Sequence, residues 1–306
     1  MTRLKILDWY VHQGHQREFA KINHDICLVG ANKKIPSWNE KHRPLNENIT
    51  LSDEASLRDE NFDVVIVRSP VQRERVSYFV KKGAVPIAVV QTTTPFDIPS
   101  YCRHVVWNSL DVMTNYSKKF PDKRHYYIVH GYDPEEFCNL NLEKNKRILT
   151  VANAFRSRSH VMGFPLWDRV SSKLQIADVV GHGNLDLYKV DRQAEDFEQL
   201  IRIYNSYSVY FNPTHSSAMP RSRAEAAMCG MPIVSTNNYE ISKYFAHKKN
   251  AILSNDDKEI VLEIKRLLGS SMMRNDFGNS AREIAIKHFH IKDFISSWES
   301  VLGDAV

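Results

Sequence analysis

The sequence predicts an α/β protein of two domains in series, each with a parallel sheet and helices on both faces. Its 306 residues exceed one ordinary core and suit two domains of about 150 residues each. Short apolar runs of strand length alternate with amphipathic stretches, which is typical of parallel α/β sheets. The pattern starts again after a charged stretch, Glu143–Arg147. We expect two doubly wound sheets that face a central cleft, with ligands beyond the carboxyl ends of the strands.

The first half is expected to contain six strands and three helices. The predicted strands are Leu4–Trp9, Asp25–Val29, Phe62–Arg68, Val85–Gln91, His104–Trp107 and Tyr126–Val129, and the predicted helices lie near Arg17–Ile22 and over Val71–Lys82 and Leu110–Phe120. The polar stretch around Pro36 and Pro44 is expected to be irregular, because proline interrupts regular structure.

The second half is expected to contain four strands and six helices. The predicted strands are Ile148–Asn153, Ile176–Gly181, Val209–Asn212 and Ile233–Thr236. The predicted helices are Asp196–Tyr204, Arg221–Cys229, Ile241–Phe245, Asp257–Leu268, Asn275–Phe289 and Ile291–Leu302, the last with its apolar residues on one face.

Composition argues against several classes of protein. No apolar run approaches the roughly 20 residues of a membrane-spanning helix, and the first residues, with Asp8 among them, are typical of a strand rather than a signal peptide. The four cysteines are scattered along the chain, at Cys27, Cys102, Cys138 and Cys229. This spacing disfavours a disulfide framework and a zinc site, and it predicts a cytoplasmic protein.

The charge balance is mildly basic. The formal net charge is +5, and most of the excess lies in residues 1–150. Such an excess leaves an anionic acceptor, including nucleic acid, open as a partner. It is also commonplace for a chain of this length, and no run of five like charges occurs.

Two motifs carry a family resemblance. Residues 128–137 read Ile-Val-His-Gly-Tyr-Asp-Pro-Glu-Glu-Phe, an apolar pair followed by a glycine turn and an Asp-Pro start. Asn212-Pro213-Thr214 is followed by Arg223-Ala224-Glu225-Ala226-Ala227-Met228-Cys229-Gly230-Met231-Pro232 and an apolar run that ends at Thr236. Both resemble the family 4 branch of GT-B glycosyltransferases (glycosyl transferases group 1), the first its linker element and the second its donor-site block. The resemblance covers roughly residues 126–302 well, and it implies a short strand at Ala251–Leu253.

The resemblance implies two Rossmann-like domains with different binding roles. Residues 1–140 are expected to form the acceptor-side domain, 141–290 the domain that binds the nucleotide sugar, and 291–306 a terminal helix that crosses back to the first domain. The implied enzyme is a retaining, metal-independent hexosyl- or pentosyltransferase. It moves a sugar from a nucleotide-diphosphate sugar, expected to be a UDP-sugar, to an acceptor hydroxyl, with no further cofactor.

The predicted helix at Arg221 is the expected site of the donor diphosphate. A helix start offers free backbone N–H groups, and Arg221 and Arg223 add positive charge. Pro220 suits the first helical turn, and a serine of the preceding loop, Ser216 or Ser217, is expected to cap the helix. The resemblance assigns the donor ribose hydroxyls to Glu225, and the alternative is a solvated acid favoured by the helix dipole.

The sequence departs from the family at two donor positions. The family usually has a glutamate eight residues before Glu-Ala, where this chain has Ser217, with Met219 in the same loop. The usual lysine position reads Met162. We therefore expect Arg156 or Arg158 to replace the missing cation, and Arg156 to act in catalysis, because a guanidinium binds phosphate in bidentate fashion. Pairing of either arginine with a surface acid is the alternative.

The first half offers catalytic and acceptor-side candidates after two predicted strands. The loop His12-Gln13-Gly14-His15 resembles the family's glycine-containing loop near the donor phosphates. His12 or His15 is expected to form a hydrogen bond with either a donor phosphate or an acceptor hydroxyl, and an ordinary loop histidine is the alternative. His130 is expected to brace the linker. The acceptor-side candidates at the end of another strand are Thr92, Thr93 and Thr94.

The acceptor and two alternative functions stay open at this stage. A cell-surface glycan or a lipid-linked sugar is the default acceptor. A hydroxymethylated DNA base, as phage-type DNA-modifying sugar transferases use, is the alternative, with Tyr10, Trp38 or Phe96 as stacking partners. A GT-B protein that binds a nucleotide or sugar without turnover is the rival from another class. The sequence does not predict the oligomeric state.

Overall fold

The computed structural model describes residues 2–30, 33–69, 72–188 and 192–306. The chain divides into two compact units. One comprises Met1–Gly131 together with Ile291–Val306, and the other comprises Tyr132–His290. Each unit has its own sheet, in which all described strand pairs are parallel. The predicted α/β class with two parallel sheets is confirmed.

The first unit contains a seven-stranded sheet in the order β3-β2-β1-β4-β5-β6-β7. Its strands are β1 (Lys5–Trp9), β2 (Asp25–Val29), β3 (Ile49–Ser52), β4 (Val64–Val67), β5 (Val85–Val90), β6 (His104–Trp107) and β7 (Arg124–Tyr127). The described α-helices are α1 (Gln13–Phe19), α2 (Arg73–Lys81), α3 (Leu110–Tyr116) and the terminal α12 (Ile291–Ala305). The strand order reverses between β1 and β4, which defines a switch point where such sheets bind ligands.

The terminal helix supplies part of the first unit's core. Its apolar face joins a cluster with strand and helix residues of that unit. The Trp298 ring packs edge-on against Phe19, with 4.7 Å between ring centroids. Gly131 lies so close to this helix that a Cβ atom added there would be 2.4 Å from the Phe294 Cβ. A side chain at residue 131 would therefore displace α12.

The second unit contains a five-stranded sheet in the order β12-β11-β10-β8-β9. Its strands are β8 (Asn145–Val151), β9 (Ala177–Val180), β10 (Tyr207–Asn212), β11 (Ile233–Ser235) and β12 (Ile252–Leu253). The described α-helices are α4 (Ser159–Met162), α5 (Phe164–Leu174), α6 (Leu185–Tyr188), α7 (Phe197–Ser206), α8 (Arg221–Met228), α9 (Ile241–Tyr244), α10 (Asp257–Gly269) and α11 (Ser271–His288). The switch point of this sheet lies between β8 and β10.

Side-chain caps explain where several helices begin. The Asp196 carboxylate accepts a 2.7 Å hydrogen bond from the Gln199 amide at the start of α7. Asp256 does the same at α10, and the Ser109 and Ser270 hydroxyls cap α3 and α11. These residues satisfy backbone N–H groups that the helix itself leaves unpaired.

Several predicted elements differ from the structure. The helix expected near Arg17–Ile22 begins at Gln13, and the helix expected over Leu110–Phe120 changes to a 3₁₀ turn at Ser117. The polar stretch expected to be irregular is followed by β3, which pairs with β2 in parallel. The predicted helix start at Val71 lies outside the described residues.

Residues 132–140, which the sequence places in the first domain, lie in the second unit. Phe137 is fully buried there and packs edge-on against Phe197 of α7. The Arg282 side chain of α11 donates hydrogen bonds to the carbonyls of Pro134 and Phe137. These contacts hold the segment against helices of the second unit.

Candidate functional site

The switch point of the second sheet brings two loops together. One follows β8 at residues 152–156, and the other follows β10 at residues 213–220. Gly163 contacts the second loop so closely that a Cβ atom there would lie 1.8 Å from the Pro213 carbonyl oxygen. The amides of His215 and Ser216 donate to the Val161 carbonyl, at 3.0 and 3.1 Å. The loop after β10 is thus held against α4 and the start of α5.

Residues that follow β11 form a second set of contacts with the same loop. The Asn238 side-chain amide donates to the carbonyls of Thr214, at 2.8 Å, and His215, at 3.1 Å. The Thr236 hydroxyl also donates to the Thr214 carbonyl, at 2.5 Å. These bonds satisfy carbonyls in a loop without regular backbone pairing. The chain leading into α8 therefore has a defined position.

Glu225 occupies a buried position on α8. It is 6% exposed, and its Oε2 accepts a 2.8 Å hydrogen bond from the Tyr204 hydroxyl of α7. Its Oε1 lies 3.7 Å from the Arg221 guanidinium, one helical turn earlier. Because the carboxylate is buried, the alternative of a solvated first-turn acid is wrong. Each of the two carboxylate oxygens therefore lies near a donor group of the second unit.

The two arginines at the start of α8 have different surroundings. The Arg221 guanidinium lies 5.0 Å from the centroid of the Tyr132 ring and is largely covered. Arg223 is 3% exposed and donates to the Ser235 hydroxyl at 3.3 Å and the Ala218 carbonyl at 3.5 Å. Burial lowers the pKa of Arg223 to about 10. Arg223 therefore adds positive charge from beneath the loop rather than from the surface.

The loop residues before α8 only partly follow the sequence prediction. Ser217 is partly exposed, and Met219 is buried. The N-cap position belongs to Pro220, and no side-chain hydrogen bond caps the helix. The prediction that Ser216 or Ser217 caps α8 is therefore wrong, because the extended backbone of Pro220 fills that position.

The two arginines predicted as replacement cations follow β8. The Arg156 guanidinium lies 5.0 Å from the Phe164 ring centroid, and its Nε lies 3.7 Å from the Asp186 carboxylate, with both side chains about half exposed. An exposed ion pair with this separation between its charged atoms contributes little to the free energy of unfolding. Arg158 is exposed at the start of α4. Phe164 adjoins Gly163, so Arg156 lies near the loop that follows β10.

The His12–His15 segment forms the start of a helix rather than a loop. His12 is the exposed N-cap residue of α1, and Gly14 and His15 are buried in its first turn. The His15 ring stacks on Phe19, at 6.4 Å between centroids, and meets His130 edge-on at 5.4 Å. Only His12 of the two histidines is exposed, whereas His15 is 4% exposed.

A buried ion pair crosses the switch point of the first sheet. Arg68, which follows β4, donates from Nε and Nη2 to both carboxylate oxygens of Asp8 on β1, each at 2.8 Å. Its Nη1 donates to the Gln91 side-chain oxygen at 3.1 Å, and the Gln91 amide nitrogen faces His15. Sequence reasoning missed this network. A charged residue within each of two apolar runs, at Asp8 and Arg68, was the available signal.

The remaining first-unit candidates lie along the same edge of the sheet. The Thr92 hydroxyl donates to the Thr94 carbonyl at 2.5 Å, so Thr92, Thr93 and Thr94 form a tight turn after β5. His130 Nε2 lies 3.2 Å from the side-chain nitrogen of Asn108, which follows β6. His130 is therefore part of the polar edge of the first unit.

Within residues 2–30, 33–69, 72–188 and 192–306, no three His, Cys, Asp or Glu side chains are grouped so as to hold a metal ion. In the same ranges, each helix is too short or too polar to cross a membrane.

A family model matches part of the second unit. Residues 193–284 match the family model described as glycosyl transferases group 1. This segment includes α7, the loop after β10 and α8, so it contains Tyr204, Arg221 and Glu225. No curated protein matches the sequence.

Solved structures share the whole fold at low sequence identity. A glycosyltransferase from Rickettsia africae ESF-5 aligns with a TM-score of 0.71 and 14% identity over 100% of this chain and 99% of that chain. Sucrose-phosphate synthase from Thermosynechococcus elongatus aligns with a TM-score of 0.71 and 12% identity over 99% of each chain. Anabaena HepE in complex with UDP-glucose aligns with a TM-score of 0.70 and 11% identity over 99% of this chain and 100% of that chain. These likenesses show that the chain has the GT-B fold, and within it residues 193–284 are similar to glycosyl transferases group 1.

Proposed function

We propose that this enzyme transfers a sugar from a nucleoside-diphosphate sugar, a UDP-sugar, to a hydroxyl group of its acceptor, with retention of configuration and without a metal ion. The observation that carries the donor assignment is the buried Glu225 carboxylate on α8. Tyr204 and Arg221 hold it in place, beside a loop at the switch point of the second sheet. In the complex of HepE with UDP-glucose, a protein of the same fold binds such a donor.

The ribose and the diphosphate of the donor each have matching groups in the second unit. The carboxylate of Glu225 accepts hydrogen bonds from the ribose hydroxyls. The N–H groups in the first turn of α8 point out of the N-terminus of the helix, and they bind the diphosphate. Arg221, Arg223 and the pair Arg156 and Arg158 supply the positive charge that a metal ion supplies elsewhere.

The reaction needs no separate protein base. The bond between the anomeric carbon and the phosphate oxygen breaks, and a bond from the acceptor oxygen to that carbon forms on the same face of the sugar. The proton of the acceptor hydroxyl passes to the departing phosphate oxygen, which leaves as part of the nucleoside diphosphate. Positioning and stabilisation of the developing charge then supply most of the rate enhancement.

Calorimetric titration with UDP and with 2′,3′-dideoxy-UDP tests the role of Glu225. The unchanged protein should bind UDP roughly tenfold or more tightly than the dideoxy compound, because hydrogen bonds to a buried carboxylate are strong. Glu225→Gln should remove most of this difference. Equal affinity of Glu225→Gln and the unchanged protein for UDP would contradict the assignment.

Glu263 on α10 provides a matched control. Its carboxylate is also buried, at 2% exposure, and pairs with Arg266 and Lys248. Glu263→Gln should keep the discrimination between the two nucleotides. Release of UDP from UDP-glucose, measured with glycan acceptors and with hydroxymethylated DNA, then tests turnover. If the protein binds UDP tightly but releases no UDP from UDP-glucose with any of these acceptors, the catalytic part of the proposal is wrong.

A further inference from the structure

A cavity lies at the amino-terminal edge of the first sheet, away from the switch point. Its volume is about 770 Å³, and its lining includes Val85, His104 and Arg124, the first residues of β5, β6 and β7. The switch-point residues Arg68 and Gln91 instead follow the carboxyl ends of β4 and β5. Because β5 has six residues, the two edges of the sheet lie roughly 17 Å apart along this strand. The cavity is therefore separate from the polar edge described above.

Buried hydrogen bonds fix the loop that leads into β6 and forms part of the lining. Lys123 is buried, and its ammonium group donates to the carbonyls of Pro99, at 3.3 Å, and Cys102, at 2.9 Å. The Arg124 amide donates to the Arg103 carbonyl at 2.8 Å, so these two arginines start from neighbouring backbone positions. The cavity is thus formed before any ligand binds, which lowers the entropic cost of binding.

The end of α12 supplies an acid to the same lining. The Asp304 carboxylate accepts a 3.3 Å hydrogen bond from the Tyr126 hydroxyl of β7, and this hydroxyl lies 3.0 Å from Nδ1 of His104. The rings of Tyr126 and His104 stack, with 5.9 Å between their centroids. Burial lowers the pKa of His104, so its ring adds no charge at neutral pH. Asp304 is exposed and is held at the cavity by a neutral partner.

The charged groups of the lining balance one another. A second cavity of about 510 Å³ shares Ser100, Tyr101 and Asp122 with the first, so the two cavities adjoin. Their charged lining residues comprise three cations and three acids, namely Arg103, Lys123, Arg124, Asp97, Asp122 and Asp304. The acids disfavour a phosphate-rich ligand, and the cations disfavour a metal ion, because like charges repel.

Sugar hydroxyls match a lining of this kind. Each hydroxyl both donates and accepts hydrogen bonds, a carboxylate accepts several, and a guanidinium donates several in a fixed fork. Neighbouring hydroxyls of one sugar ring can therefore bind to either charged group. Ala84 and Pro86 also line the larger cavity and offer apolar surface to the C–H groups of the ring. Each cavity has the volume of an ordinary small-molecule site, roughly 300–1,000 Å³, so the adjoining pair suits linked sugar units.

We propose that these adjoining cavities of the first unit form a second carbohydrate site, which binds sugar units of a glycan acceptor away from the hydroxyl that reacts. The inference rests on the proposed glycosyl transfer, and it favours a glycan over hydroxymethylated DNA as the acceptor, because the acids of the lining repel DNA phosphates. Arg103, Asp122 and Asp304 bind sugar hydroxyls in this scheme. A glycan held at a second site has a higher effective concentration at the reacting site.

The resonance of His104 reports binding in the larger cavity without an activity assay. The protein is labelled with ¹³C at histidine Cε1, and the His104 signal is assigned by its loss in His104→Gln. Linear hexasaccharides of glucose, mannose and N-acetylglucosamine are then added in the absence of UDP. At least one of them should shift the His104 signal in a saturable manner at millimolar concentrations. No shift with any of these sugars would overturn the proposal.

Inorganic phosphate, added at constant ionic strength, tests the alternative of an anion site. The balanced charges of the lining predict that phosphate leaves the His104 signal unchanged. A saturable shift with phosphate, together with no shift with the hexasaccharides, would overturn the carbohydrate assignment.

The double variant Arg103→Ala, Asp304→Ala removes one cation and one acid from the lining and keeps the net charge. Both side chains are exposed, so the fold should be retained. The affinity for a hexasaccharide that binds should fall roughly tenfold or more, because hydrogen bonds to charged groups are lost. The matched control is Arg58→Ala, Asp59→Ala, which changes an exposed arginine and an exposed aspartate outside both linings. Equal affinities of the two double variants would overturn the proposal.

Calorimetric titration of the same samples with UDP separates this inference from the donor assignment. Both double variants should bind UDP as the unchanged protein does, because all four altered residues belong to the first unit. UDP binding without hexasaccharide binding would overturn the second carbohydrate site and leave the donor assignment intact. Hexasaccharide binding in the cavity without UDP binding would support the carbohydrate site and contradict the donor assignment.

Discussion

The Tyr204 hydroxyl donates a 2.8 Å hydrogen bond to Oε2 of Glu225, so two buried side chains from neighbouring helices of the second unit form one polar unit. Burial and the adjacent carboxylate raise the pKa of Tyr204 well above its ordinary value. The phenol therefore stays protonated as a donor at neutral pH. Tyr204 fixes one oxygen of the carboxylate that we assign to the donor ribose.

Tyr204→Phe should weaken UDP binding roughly fivefold to tenfold, because the carboxylate loses a buried hydrogen bond that holds its position. The measurement is calorimetric titration with UDP. Tyr207→Phe is the matched control. It removes a 3.2 Å bond to the Asp178 carboxylate at the other end of β10. UDP affinity should survive that change, and equal losses in both variants would argue for general destabilisation.

Gly163→Ala should displace the loop that follows β10. The added Cβ would lie 1.8 Å from the Pro213 carbonyl oxygen, and the φ angle at residue 163 is +76°. We expect a loss of about 2 kcal/mol or more in the free energy of unfolding, together with weaker UDP binding.

Gly183→Ala separates backbone strain from the steric clash at Gly163. Gly183 has a similar φ of +72°, but its nearest neighbours would lie 3.5 Å from the new Cβ. This variant should lose only about 1 kcal/mol in the free energy of unfolding, which is the cost of a side chain at a positive φ angle. Its UDP affinity should not change. Chemical denaturation and nucleotide titration of the two variants, side by side, measure both quantities. Equal effects on UDP binding would show that contact with Pro213 is unimportant.

Trp298→Ala should destabilise the first unit by about 3 to 5 kcal/mol, because it removes a fully buried ring that packs on Phe19. Leu262→Ala is the control, since Leu262 is exposed on α10. Its effect should stay within about 0.5 kcal/mol. Thermal unfolding followed by calorimetry checks both values. A small effect of Trp298→Ala would mean that α12 contributes little to the core of the first unit.

The free energy of unfolding should fall as the pH drops below about 6.5, the ordinary pKa of a histidine, in part because of His104. Burial, followed by the nearby Arg124, lowers the pKa of His104 in the folded protein. The unfolded chain, with a histidine pKa of about 6.5, then binds more protons. The contribution of His104 is present above about pH 6.5 and is lost as the pH falls through the lowered folded pKa, with a slope of at most about 1.4 kcal/mol per pH unit.

Urea unfolding between pH 5 and pH 7 measures this contribution. His104→Gln keeps a hydrogen-bond acceptor for Tyr126 but cannot titrate, so its stability should depend less on pH in that interval. His160→Gln, at an exposed position on α4, should behave like the unchanged protein. Identical pH profiles for all three proteins would contradict the prediction.

The local sequence was sufficient to predict the two parallel sheets. Apolar runs such as those of β2 and β6 match their observed strands at both ends, because a strand buried on both faces needs an uninterrupted apolar run. The edge strand β3 was missed because its residues, Ile49–Ser52, are only partly buried and follow a polar stretch. Pairing with β2, rather than local composition, decides that this segment is a strand.

The candidate site, like the fold, could be predicted only where neighbouring residues in the sequence determine it. The motif around Glu225 was readable from the sequence, since it requires only neighbouring residues, and it placed a carboxylate one turn into a helix. Which charges are buried and what they contact depends on residues far away in the chain. Tyr204 reaches Glu225 from another helix, and Arg68 reaches Asp8 across 60 positions. Only the tertiary structure brings these groups together, because a switch point places the ends of non-consecutive strands side by side.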